Sequence, residues 1–199
     1  MVSERVSSGH ASSGSDEVTR EAVLRARAAI AEHERTVPDF PKPGVVFKDI
    51  TPLLASPKGL RAAINALVAL APPDIDVVVG MEARGFILAA PVALELGAGF
   101  VPVRKPGKLP GELYSEQFSL EYGHETLTVK TDAVLPGARV LVIDDVLATG
   151  GTVGATAALV HRLGADLVHV AVLMELGFLP GREKLAELGI HNYSAVVTV

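Results

Sequence analysis

The sequence contains no cysteine in its 199 residues, which removes disulfide frameworks, thiolate metal sites and cysteine nucleophiles together and fits a reducing compartment. Positive charge is in deficit. With 18 Lys and Arg against 23 Asp and Glu, the formal charge is -5, so neither a broad nucleic-acid footprint nor a polybasic membrane surface is expected. Any positive charge that matters must be local. Residues 1 to 17 lack a continuous apolar stretch and residues 18 to 35 carry charge throughout, so no secretory signal is read and a cytoplasmic location is expected. The one stretch that imitates a membrane span, Gly85 to Val103, is broken by Pro91, Glu95 and the Gly97 to Gly99 interruption; a buried helix followed by a buried strand explains it better. The six histidines show no metal-ligand spacing. No G-x-S-x-G elbow is present, which weakens a hydrolase reading.

The first 17 residues hold six Ser and two Gly with almost nothing apolar. Such a composition cannot offset the entropy of ordering, so residues 1–17 are expected to be a disordered leader and residues 18–199 a single domain. Val23, Ala26 and Ile30 lie at helical spacing within an amphipathic stretch from Glu17 to about Arg35. Residues 36 to 45, with Pro38, Pro41, Pro43 and Gly44, read as a structured turn region. Ser56 before Pro57 is a helix start, continued by Leu60, Ile64 and Leu67. Strands are read at Ile75 to Val79, at Phe100 to Val103 near a sheet edge or strand end because of Pro102, at Val140 to Ile143, at Leu167 to Leu173 and at Tyr193 to Val199. Helices are read between the first two of these strands, from about Gly151 to Gly164, and from Arg182 to Leu188. Leu113 to Tyr122 and Glu125 to Lys130 alternate with period two about Gly123, the pattern of a hairpin with one wet face. The whole is an α/β domain with a mainly parallel sheet flanked by helices and an inserted antiparallel hairpin.

The most informative segment is Val140-Leu-Val-Ile-Asp-Asp-Val-Leu-Ala-Thr-Gly-Gly-Thr152. An apolar strand runs into two acidic residues, and a small-residue loop then opens a helix whose first amide groups suit an anion. No Lys follows Gly151, so this is not a nucleoside-triphosphate loop, and it is not the G-x-G-x-x-G dinucleotide fingerprint. Two carboxylates beside a phosphate cradle would repel the ligand unless they take hydroxyls or a cation. A sugar phosphate with Mg²⁺ satisfies both halves.

This segment resembles the ribose-phosphate motif of the type I phosphoribosyltransferases. Pro41 to Ile50, Glu82 to Phe86, Val101 to Pro110 and Ser119 to Gly123 are similar, in the same order, to blocks of the adenine-using members of that family, over about residues 36 to 198. The resemblance implies that the chain joins adenine to 5-phosphoribosyl 1-pyrophosphate (PRPP), releasing AMP and pyrophosphate with Mg²⁺ as cofactor. Asp144 and Asp145 would bind the ribose hydroxyls, and Ala148, Thr149, Gly150, Gly151 and Thr152 the 5-phosphate. Pyrophosphate would fall to Glu82, Ala83 and Arg84, a turn with a cis peptide between Glu82 and Ala83, and to the basic cluster Arg104, Lys105 and Lys108. Residues 104–130 would be a flap in which Glu121 acts as acid/base beside Tyr122. Val46, Phe47, Lys48 and Val146 would select the base; Lys48 stands where the family frequently has Arg, which puts a forked side-chain contact in doubt. Mg²⁺ would be held mainly by the substrate, with no dedicated protein ligand. A homodimer is implied, with no nucleic-acid or membrane partner. The alternatives are a sister enzyme using another base and a non-catalytic PRPP-sensing regulator, although residues 1 to 35 are too little for a helix-turn-helix pair.

Overall fold

The computed structural model describes residues 11–40, 42–120 and 123–199. Contacts divide the chain into two compact units, the first ending at Ala69 and the second beginning at Leu70.

In the first unit, α1 spans Ala11–His33. It therefore takes in the last residues of the segment expected to be disordered: extending a helix nucleated by the amphipathic stretch costs far less than starting one. Ala26 and Ile30 are its buried face. β1 (Arg35–Pro38) and β2 (Val46–Asp49) pair antiparallel, so part of the proline-rich turn region is strand. Pro38 is the last residue of this two-stranded ribbon, where a missing N–H is tolerated. Pro52 lies in the first turn of the short helix α2 (Thr51–Ala55), where proline is well suited. α3 (Pro57–Leu70) starts where the sequence places it, and the Ser56 hydroxyl accepts the Gly59 N–H at 3.1 Å, an N-cap.

The second unit is built on five parallel strands: β3 (Val77–Met81), β4 (Gly99–Val103), β7 (Arg139–Leu147), β8 (Asp166–Glu175) and β9 (Tyr193–Thr198), in the order β4-β3-β7-β8-β9. The proline-containing β4 is an edge strand, as expected. Val78, Val142, Ile143, Val170, Ala171 and Val172 are all buried, whichever face they point to; a parallel sheet covered on both sides demands such runs. α4 (Arg84–Leu96), α5 (Gly151–Arg162) and α6 (Gly181–Glu187) connect the strands. β5 (Leu113–Leu120) and β6 (Gly123–Lys130) form the separate antiparallel hairpin. Tyr114 and Phe118 pack on the core beside Leu127 and Val129, while Ser115 and Gln117 are exposed, as period-two alternation requires. One boundary matters for the site: β7 does not stop at Ile143 but continues to Leu147, because Asp144, Val146 and Leu147 remain registered against β8.

Candidate active site

The carboxyl ends of β3 and β7 are neighbours, with Gly80 opposite Ile143. In an open α/β sheet this edge is where ligands bind. The turn after β3 carries Glu82, Ala83 and Arg84, and the Glu82–Ala83 peptide is cis. The end of β7 carries Asp144 and Asp145, both buried. Arg84 Nε lies 2.7 Å from Asp145 Oδ2. The turn and the acidic pair, more than fifty residues apart in sequence, are thus one site. Their approach depends on Gly85: a Cβ built there would stand 2.8 Å from Asp144 Oδ1.

Burial pushes the Asp144 carboxyl well above the usual carboxylate range, and the neighbouring charge of Asp145 pushes the same way. The Asp145 N–H donates to Asp144 Oδ1 at 2.9 Å, which offsets only part of that cost. Asp145 Oδ2 is buried and, although close to Arg84, accepts no aligned hydrogen bond. An acidic pair of this kind has lone pairs to offer to hydroxyl donors or to a cation.

On the other side of β3, the edge strand β4 leads into the basic cluster. Arg104 donates to both Glu82 oxygens, from Nε at 3.2 Å and from Nη2 at 3.3 Å, and the Lys105 N–H donates to Glu82 Oε2 at 3.0 Å. The Lys105 N–H first, then the Arg104 guanidinium, hold the Glu82 carboxyl below its ordinary range. Arg104 also donates to the Lys108 carbonyl at 3.2 Å, and its guanidinium lies 5.9 Å from the Phe86 ring centroid. Lys105 Nζ pairs with Glu125 of β6. The cluster is therefore tied at one end to the cis-peptide turn and at the other to the hairpin.

Ala148, Thr149 and Gly150 form the loop between β7 and α5. Gly150 has φ of 81°, a conformation that favours glycine, and Gly151 and Thr152 begin α5. The loop rests on α6: a Cβ on Gly181 would overlap the Ala148 carbonyl, and one on Gly150 would meet the Gly181 carbonyl at 3.0 Å. α6 is held in turn by Arg182, whose Nε and Nη2 donate to the two oxygens of buried Glu175 at 3.0 and 2.8 Å. Val146 lies on β7 opposite Met174.

Val46, Phe47 and Lys48, the residues of the first unit expected to select the base, lie on β2. Val46 is about half exposed, and Phe47 packs edge-on against Phe40 with centroids 5.0 Å apart. Lys48 is committed elsewhere: its ammonium pairs with Glu34 at 3.2 Å and donates to Thr36 Oγ1 at 3.0 Å. Glu121 and Tyr122 lie outside the described residues. Sequence reasoning misses Gly85, Glu175, Gly181 and Arg182. The Gly after Arg84 and the Gly-Arg pair opening the last helix are local signals of close approach, but only the third dimension shows what they approach.

A parallel sheet with an acidic pair at the carboxyl end of β7 and a small-residue loop opening α5 is the architecture of the type I phosphoribosyltransferases, and the phosphoribosyl transferase domain family matches residues 48–188. The adenine phosphoribosyltransferase of Cutibacterium acnes is 66% identical over 170 residues, covering 85% of this chain and 96% of that protein. The crystal structure of the Thermoanaerobacter pseudethanolicus adenine phosphoribosyltransferase superposes with a TM-score of 0.82 at 46% identity, covering 86% of this chain and 99% of that one. The Saccharomyces cerevisiae enzyme, crystallised with adenine and an imino-altritol bisphosphate, gives 0.79 at 35% identity, covering 89% and 99%. The chain belongs to the adenine phosphoribosyltransferases, pentosyl-transferring enzymes of purine salvage.

Proposed function

We propose that the chain makes AMP and pyrophosphate from adenine and PRPP. The observation that carries this is the Arg84–Asp145 contact at 2.7 Å, which unites a turn suited to pyrophosphate with a carboxylate pair suited to ribose hydroxyls. The C1–N9 bond forms as the C1–oxygen bond to pyrophosphate breaks, and the N9 proton of adenine is lost. Asp144 and Asp145 accept hydrogen bonds from the ribose 2' and 3' hydroxyls, and their charge favours positive character at C1. The amides opening α5 hold the 5-phosphate, with no net side-chain charge required. Arg84, Arg104, Lys105 and Lys108 receive the departing pyrophosphate; Arg104 exchanges its Glu82 partner for phosphate oxygens.

Glu121 is assigned as the acid/base and Tyr122 as its neighbour in a closing flap, an assignment that rests on the family resemblance. Val46, Phe47 and Lys48, with Val146, are assigned to the base, Lys48 through its backbone because its ammonium is engaged by Glu34. The donor set fits Mg²⁺ in one respect: the neighbouring carboxyl groups of Asp144 and Asp145 are hard oxygen donors that suit the water shell of such a cation. Mg²⁺, carried chiefly by PRPP oxygens, would neutralise the leaving pyrophosphate. The reading includes a homodimer and a cytoplasmic location; among the described residues no helix is long and apolar enough to cross a membrane.

The test supplies PRPP and Mg²⁺ with adenine, hypoxanthine, guanine, xanthine or orotate singly and measures pyrophosphate. Release with adenine alone is expected, and its loss on chelation. Release with another base overturns the base assignment. PRPP binding without release for any base indicates a sensor.

A further inference from the structure

The 5-phosphate loop has no ion pair of its own. What fixes its position lies beneath it. A Cβ on Gly181 would overlap the Ala148 carbonyl and stand 3.0 Å from Leu147 Cγ, and the Gly181 carbonyl and Lys184 Cβ close on Gly150 from the same helix. The loop therefore copies the position of α6. This helix has only seven residues, too few to hold a place by its own stability.

It is anchored by the buried Leu185 and by one ion pair, and the pair sits next to Gly181. Glu175, the last residue of β8, is 4% exposed and takes both nitrogens of the Arg182 fork. The Thr198 hydroxyl donates to the same carboxylate at 3.2 Å, and the guanidinium lies 5.4 Å from the Tyr193 ring centroid. Three elements, β8, α6 and the last strand β9, thus meet at one carboxylate. Arg182 follows Gly181 directly, so a shift of the guanidinium is passed to the residue under Ala148. In the same connection the Leu176 N–H donates to the Leu147 carbonyl at 2.9 Å.

We propose that Glu175 and Arg182 are positioning residues for the 5-phosphate of PRPP, acting through Gly181 on the Ala148–Thr152 loop. The inference rests on the assignment of that loop to the 5-phosphate. A point charge does not reproduce a two-pronged contact, and a small displacement of a binding loop weakens the ligand steeply. The other half of the substrate site, the Glu82–Arg84 turn with Arg104, stands on β3 and β4 and does not depend on α6.

The test uses the full chain and its variants Arg182→Ala, Arg182→Lys and Gly181→Ala, with binding of ribose 5-phosphate and of pyrophosphate measured separately from turnover. Arg182→Ala is expected to weaken ribose 5-phosphate and raise the PRPP KM by about tenfold, while pyrophosphate binding and the adenine KM change by less than about twofold. Arg182→Lys should recover part of the loss, and Gly181→Ala should reproduce it with the ion pair intact. If Arg182→Ala does not fold, the lysine and Gly181→Ala variants decide the question alone. Unchanged ribose 5-phosphate binding in variants that fold overturns the proposal, as does an equal loss for pyrophosphate, which would mark a purely structural pair. Failure of the wild-type chain to release pyrophosphate with adenine would count against the functional reading instead; ribose 5-phosphate binding still tests the loop.

Discussion

Gly85 and Asp144 touch through a position that admits only hydrogen: a methyl group on Gly85 would lie 2.8 Å from Asp144 Oδ1 and 3.3 Å from the Ile143 carbonyl. The first turn of α4 and the acidic end of β7 are thereby locked together, and neither obstacle is the free end of a flexible chain. Gly85→Ala must push one element off the other. A loss of about 1–3 kcal/mol in stability is expected, the usual cost of overpacking, together with a fall in kcat/KM for PRPP larger than the stability loss explains. Denaturant unfolding and pyrophosphate release on the same preparation check both.

Asp144 itself sits in the fold at a cost. A carboxyl whose pKa rises on folding favours the folded state below its ordinary value of 3.8 and works against it as pH climbs through the raised value. The cost of holding this carboxyl in the fold therefore grows as pH rises above 3.8, and hydrogen bonds from the substrate hydroxyls would offset it. Asp144→Asn is expected to raise Tm at pH 7 by about 2 °C or more, the shift that ~1 kcal/mol gives in a domain of this size. The same change should lower kcat/KM by about 100-fold, in the range for losing a group that stabilises transition-state charge. A Tm that falls instead would mean that the Asp145 N–H bond outweighs desolvation.

Most strands were legible because they are continuous apolar runs. Val140 to Ile143 and Leu167 to Leu173 can only be buried strands once Gly and Pro mark their ends, and Ser56-Pro57 announces a helix by a cap that the structure contains. The Asp-Asp and Thr-Gly-Gly-Thr runs point to a ligand site because such residues in sequence have few structural uses, and the structure brings the acidic pair against Arg84. What remained hidden depends on long-range contact. Arg35 to Pro38 is strand only because Val46 to Asp49 returns beside it, and α1 extends to Ala11 because a helix already formed propagates cheaply. Nothing in the spacing of Glu175 and Arg182 shows that they meet, nor that Lys48 turns to Glu34.

The Glu175 carboxyl has the opposite sign to Asp144. The Arg182 fork holds it below the ordinary carboxylate value of 4.5, so its contribution is present above pH 4.5 and is lost as pH falls through the lowered value. Wild-type stability should therefore drop on acidification below pH 4.5. Glu175→Gln should be less stable at pH 7 by about 1–3 kcal/mol, toward the low end because Arg182 is largely exposed, and the difference should shrink in acid. Urea titrations at pH 7 and pH 4 measure it; a gap that stays constant would show that the carboxylate charge does not matter.

Lys48 gives a prediction that separates stability from selectivity. Its ammonium lies on Glu34 and Thr36 in a mostly buried pair, so removal of the side chain should cost about 1–3 kcal/mol by leaving the Glu34 carboxylate without its partner. The adenine KM and the preference for adenine over hypoxanthine should be unchanged in Lys48→Ala. A loss of selectivity would place the ammonium on the base and move recognition from the backbone to the side chain.

Glu121 carries the proton-transfer assignment, and its substitution separates chemistry from binding. The PRPP contacts assigned above are made by the turn after β3, the basic residues after β4, the end of β7 and the loop before α5, none of which includes Glu121. Glu121→Gln keeps size and hydrogen-bonding capacity while removing the titrating group. If the carboxyl exchanges a proton with the purine as N9 attacks, kcat should fall by about 100-fold, within the range for losing a general acid or base, and ribose 5-phosphate and pyrophosphate binding should be retained. The limb of the kcat–pH profile that reports this carboxyl should disappear with it. Turnover close to wild type would assign proton transfer to solvent or to the base itself, leaving the hairpin the task of excluding water.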